Sequence, residues 1–94
     1  MFVLNVELNL KSGSEQALEK TFKTIFVPAV SQQEGFVQTE LLRPTDVGAN
    51  YRLFLGFSTQ PLQQQWVAQP LHQEVWPQME AYFDKYSVLT YNTV

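Results

Sequence analysis

The sequence contains no cysteine, which removes disulfides, thiolate nucleophiles and sulfur-rich metal sites together. It contains a single histidine, His72, in neither an HxH nor an HxxE arrangement, so no metal site is expected. Six Lys and Arg stand against nine Asp and Glu, and the net charge is -3. The cations are scattered singly and form no basic stripe that could neutralise a phosphate backbone, so nucleic-acid binding is not expected. Neither a Gly-rich phosphate loop nor the Gly-x-Ser-x-Gly elbow of a serine hydrolase occurs. No apolar run approaches the ~20 residues that span a bilayer. Met1 leads directly into an alternating pattern rather than a basic start and an apolar stretch, so the expectation is a cytoplasmic protein with no membrane attachment.

What remains is apolar for its size. The 94 residues are 45% hydrophobic and 14% aromatic with only 16% charged. That suits one domain over residues 1–94 that buries roughly two-thirds of its unfolded surface. A core that small leaves surplus large hydrophobes for a subunit interface or a ligand pocket.

Phe2, Leu4, Val6, Leu8 and Leu10 alternate with Val3, Asn5, Glu7 and Asn9, a period of two that predicts a strand with one firmly buried face. Lys11 to Ser14 break it, and Ser12 with Glu15 has capping-box spacing, although Ser14 could cap equally well. Leu18, Phe22, Ile25, Phe26 and Ala29 then form one helical stripe. Pro28 predicts a kink or an end in its last turn.

Phe36 to Arg43 reads as a second strand, and Pro44 to Asn50 as a hairpin loop. Tyr51 to Phe57 reads as a third, with Tyr51, Leu53, Leu55 and Phe57 on one side and Phe54 and Gly56 on the other, interrupted only by Arg52. Apolar residues on both faces need a cover on both, and one layer of helices supplies only one, so a second subunit is expected over the other. Pro61 suits the first turn of a helix carrying Leu62 and Trp66. Pro70 interrupts that helix. Leu71, Val75, Met79, Tyr82 and Phe83 form a second stripe, with Pro77 predicting another break near Trp76. Tyr86 to Val94 closes the chain as a β-branched and aromatic strand. The order βαββαβ predicts an α+β fold of the ferredoxin-like sandwich type.

Three stretches carry a resemblance over the whole chain. "FVLNVELNLKSGSEQALE", "QQEGF" and "LQQQWVAQPLHQEVWPQM" resemble the first strand and helix start, the acidic-Gly step into the second strand, and the broken second helix of the antibiotic biosynthesis monooxygenase family, a dimeric α/β-barrel group. The resemblance implies a homodimer with two sheets face to face, helices outside, and an apolar pocket between helices and sheet in each subunit. It also implies an oxygenase that needs no cofactor and acts on a small electron-rich aromatic, a phenol or quinol. Trp66 resembles the helix Trp of haem-degrading relatives, whose first-strand Asn is replaced here by Val6.

His72 is the one side chain whose ordinary pKa lies near neutrality, hence the expected catalytic proton acceptor or donor. Trp66, Trp76, Tyr82 and Phe22 are the aromatic residues expected to line a pocket and stack a flat ring. Arg52 either anchors substrate or pairs with Glu7 or Glu40, because a guanidinium in an apolar strand needs a carboxylate. The reading that competes with an oxygenase is a dimeric, non-catalytic module that binds a small molecule or serves in stress.

Overall fold

Period two in the opening strand and period 3.6 in the two helical stretches build a single antiparallel sheet with helices on one side. The computed structural model describes residues 1–94. Strand β1 (Phe2–Leu10) leads into α1 (Glu15–Thr21), a π-helical turn (Phe22–Phe26) and α2 (Val27–Val30). Strands β2 (Phe36–Leu42) and β3 (Tyr51–Phe57) form the hairpin, and α3 (Gln60–Ala68), α4 (Pro70–Glu80) and β4 (Phe83–Asn92) complete the chain. The sheet order is β2-β3-β1-β4 with every pair antiparallel, which is the ferredoxin-like βαββαβ arrangement. No helix is long and apolar enough to cross a membrane.

Residues paired across antiparallel strands share a face. Val6 lies opposite Leu53 and Val88, and Leu8 opposite Tyr51 and Tyr86. This face meets Leu18, Phe26, Val30, Trp66, Val75 and Met79 from the helices, and together they form the core, except that Tyr86 and Val88 on the edge strand stay exposed. The other face carries Asn5, Glu7, Arg52, Phe54, Leu89 and Tyr91, and no helix covers it. Leu89 and Tyr91 stand 56% and 52% exposed there. Arg52 Nη2 donates to Glu7 Oε2 at 2.8 Å and Nη1 to Asn5 Oδ1 at 3.0 Å. Of the two carboxylates the sequence offered it, Glu7 is its partner, while Glu40 stands opposite Phe54. The guanidinium is half-exposed in the single chain rather than buried.

Four local expectations change. The capping box is not formed: Ser14 occupies the N-cap of α1 and its side chain makes no capping bond. Pro28 does not end the helix, because the turn before it widens and the Val27 N–H reaches back to Phe22 O. A π-turn inserts a residue and relieves the contact between the Pro ring and the preceding carbonyl. Pro77 sits inside a continuous α4. It lies on the exposed side, as does Gln73, whose carbonyl loses its helical donor and can turn to water. The break falls earlier, at Gln69, held extended (ψ 142°) by the adjoining Pro70. Finally β4 starts at Phe83 rather than Tyr86, and Tyr82 lies in the turn before it.

The bend into β2 admits only glycine. Gly35 has φ +82°, and a Cβ there would lie 2.6 Å from the Leu62 side chain of α3, so this position fixes how closely α3 packs on the sheet.

One ion-pair cluster ties α1 to the hairpin. Arg43 Nε donates to Glu19 Oε2 at 2.8 Å, and the Tyr51 hydroxyl donates to the same carboxylate. The bonds from Arg43 and then Tyr51 hold the Glu19 carboxyl down to about 2 from its usual 4.5. A lowered carboxyl binds its proton later in the folded than in the unfolded chain. Its contribution is complete above pH 4.5 and is lost as pH falls from there toward 2. Glu19→Gln should therefore flatten the acid limb of the stability curve over that window and leave its slope near pH 7 unchanged. Urea titrations at a series of pH values measure both.

Candidate functional site

The helical layer does not close fully over the sheet, and it leaves an apolar cavity of about 230 Å³. Leu4 and Val6 of β1 with Leu53 and Leu55 of β3 make its floor. Phe26, at the end of the π-helical turn, is one wall. Trp66 and Gln63 of α3 form a second wall, and His72 and Trp76 of α4 a third. The cavity opens along the edge strand, where Tyr86 and Val88 are 43% exposed. Ten of its twelve lining residues are hydrophobic, and only Gln63 and His72 are not.

These aromatic walls arise from the two short helices. Thr59 caps α3 by accepting from the Leu62 N–H, which starts the helix so that Leu62, Gln63 and Trp66 turn inward. The extended Gln69 then swings α4 to a new direction. As a result His72, in its first turn, meets Trp66 across the break at 5.1 Å between ring centroids, edge-on. The Trp76 ring, one turn further on, lies nearly parallel to His72 at 6.3 Å and 19°. Phe26 packs against both tryptophans, at 6.5 and 6.2 Å.

His72 is half-buried, and loss of solvent lowers its pKa below 6.5. Its place in the first turn of α4 acts in the same direction, since the positive end of a helix disfavours a cation. The imidazole is therefore neutral at pH 7. The Gln73 amide nitrogen, which also donates to Val67 O, lies 3.3 Å from Nδ1. That contact biases which ring nitrogen carries the proton.

Of the six residues singled out in the sequence, Trp66, Trp76 and His72 come together at the cavity, and the other three lie elsewhere. Tyr82 ties the turn before β4 to α1 by accepting from Thr21 Oγ1 at 3.1 Å. Phe22 is buried against Phe26 at 5.8 Å and borders a polar groove with Glu19, Lys23 and Arg43. Arg52 is on the opposite face of the sheet, where its partner is Glu7. Sequence reading missed Gln63, which is polar yet nearly buried in the cavity wall. It also missed Phe26 as a wall, having placed that residue in the general core. No three His, Cys, Asp or Glu side chains gather closely enough to hold a metal ion.

A family model described as antibiotic biosynthesis monooxygenase matches residues 1–78. No protein of curated function matches the sequence. Several solved structures share its fold. SnoaB, a cofactor-independent oxygenase from Streptomyces nogalater, superposes with a TM-score of 0.84 at 16% identity, covering 98% of this chain and 91% of SnoaB. The heme-degrader MhuD from Mycobacterium tuberculosis, with two hemes bound in its active site, gives 0.80 at 22% identity over 100% and 96% of the two chains. A conserved protein from Methanosarcina mazei gives 0.83 at 12% identity over 99% and 92%.

Proposed function

The chain belongs to the antibiotic biosynthesis monooxygenase family, and on that premise we propose that it is a cofactor-independent oxygenase of small, electron-rich aromatics of the phenol or quinol class. The observation that carries this reading is the cavity itself: apolar and aromatic, with one ionisable lining group apart from a tyrosine, and that group a neutral imidazole.

Such a reaction asks little of the protein. His72 takes the proton of the substrate hydroxyl, and the apolar walls keep the resulting anion from being quenched by water. The electron-rich ring then reduces oxygen directly. One atom of O₂ enters the ring, at the C–H para to the hydroxyl of a phenol or at a C–H beside a hydroxyl of a quinol, and the other leaves as water. The ring supplies all four electrons and ends as a quinone, so no external reductant is used. Trp66 and Trp76 hold the flat ring by stacking and edge contacts.

Heme suits the cavity poorly. The propionates of a porphyrin would find no Lys or Arg in its lining. The substrate is smaller than the ligands of common drug-sized pockets, roughly 300–1,000 Å³.

The test is oxygen uptake by the purified protein with a panel of phenols and quinols. One quinone per O₂ without hydrogen peroxide is expected. Binding of every compound with no uptake would leave a non-catalytic binding module as the function.

The same reading includes a homodimer. Leu42, Leu89 and Tyr91 stand about half exposed on the helix-free face, around the Arg52–Glu7 pair, and a second copy of that face would bury them together. Sedimentation at micromolar concentration should give a dimer, and Leu89→Asp a monomer. A wild-type monomer that is well folded would overturn the barrel.

A further inference from the structure

Gln63 is the one polar residue among the buried residues of the chain, with 8% exposure. Three other glutamine amides donate to backbone carbonyls: Gln33 to Ala29, Gln73 to Val67 and Gln78 to Glu74. The Gln63 carboxamide has no partner in the protein. It is not sealed in the core either, since no fully buried side-chain nitrogen or oxygen lacks a partner. Its polar atoms therefore keep some contact with open space, and the residue lines the cavity. Leu or Met in this apolar wall would bury more apolar surface than an amide does, and no hydrogen bond within the fold uses the Gln63 side chain. A ligand in the cavity would.

We infer that Gln63 is the hydrogen-bonding anchor of the ligand, and that the ligand is a neutral aromatic that presents a hydroxyl or carbonyl oxygen to this amide. The inference rests on the reading of the cavity as an aromatic-binding site and adds to it the group that orients the ring. A carboxamide both donates and accepts. Its N–H can donate to the phenolic oxygen before the reaction, which leaves the hydroxyl proton to His72, and to a quinone oxygen after it. An anionic ligand is selected against, because Gln63 and His72 are the only polar lining residues besides the Tyr86 hydroxyl and none is a fixed cation. Gln63 acts as a positioning residue, and His72, on the other helix, is left free to handle the proton.

Equilibrium dialysis with 1-naphthol and with naphthalene, which share a shape and differ by one hydroxyl, tests this without turnover. Gln63→Met keeps length and removes the amide. The naphthol-to-naphthalene affinity ratio should fall about 3–10-fold in the variant, the range of one buried hydrogen bond. Naphthalene affinity should stay as in the wild type, and the midpoint of thermal unfolding without ligand should be at least as high. Gln63→Leu repeats the measurement should the Met variant fold poorly. An unchanged ratio overturns the assignment. So does an equal loss for both probes with a lower unfolding midpoint, which would make Gln63 a packing residue. Failure of the wild type to bind either probe would instead remove the cavity reading, and the anchor with it.

Discussion

Replacing His72 by alanine is expected to lower kcat for quinol oxygenation by about 10²–10⁴-fold, the usual yield of a positioned acid or base, while the fold survives. The expectation comes from where the ring sits. His72 is half-buried between two tryptophans in the first turn of α4. Losing it opens the rim of the cavity and leaves the core intact. No other lining residue is uncharged near neutrality yet ready to accept a proton there. The pH dependence carries a second, independent signature. Burial lowers the imidazole pKa below 6.5, so the base is already free at pH 7. The rate should be level through neutrality and fall as pH drops through the lowered pKa. The same shift works against the folded chain in acid: below 6.5 the unfolded chain takes up a proton that the folded chain still refuses. His72→Gln keeps a hydrogen-bonding group but cannot accept a proton in this range. It should share the loss of rate and abolish the pH step. A His72→Gln enzyme of wild-type rate would show that the imidazole is there for packing alone.

How far these residues are legible in the sequence depends on which periodicity carries them. Strand alternation is readable to the residue in β3, where it places Leu53 and Leu55 inward and Arg52 outward with Phe54. That same parity puts Arg52 on the face away from the cavity, so strand register alone separates it from substrate. Helical stripes carry less. Phe22, Phe26 and Trp66 belong to inward stripes and Trp76 stands beside one, and a stripe says which side of a helix is buried, not which of its rings stops short and leaves a void. Tyr82 and Phe83 continue the stripe of α4 by spacing, yet they lie beyond its end at Glu80. A residue buried on the last turn of a helix or the first of a strand leaves the same pattern. Gln63 is hidden for a different reason. It opens the run Gln63-Gln64-Gln65, and only the position three before Trp66 turns inward, whereas its two neighbours are exposed. A polar residue on an inward helical position is the signal that marks it.

Trp66→Ala is expected to cost about 3–5 kcal/mol of folding stability, the range for removing a large buried aromatic. Trp66 is 1% exposed and among the largest fully buried side chains of the chain, with Phe26 edge-on at 6.5 Å. In a domain whose whole stability is of the order of 5–15 kcal/mol, that loss should bring the unfolding midpoint down by more than about 10 °C. Trp76→Ala makes the contrast. Trp76 is only partly buried, so the loss should be distinctly smaller, although both rings line the same cavity. Denaturant titrations of the two variants at one protein concentration, which holds any association constant, measure the difference. The comparison decides how the site is built. If Trp66 costs far more than Trp76, one wall of the cavity is the core itself and the other is a cover on α4 that substitutions can reshape. Substrate range would then be tuned through Trp76 and the residues around His72, because a chain this small cannot alter Trp66 without giving up much of its stability. Equal costs, or a Trp66→Ala protein as stable as the wild type, would mean that the ring is a movable lid and that the cavity has no fixed wall on α3.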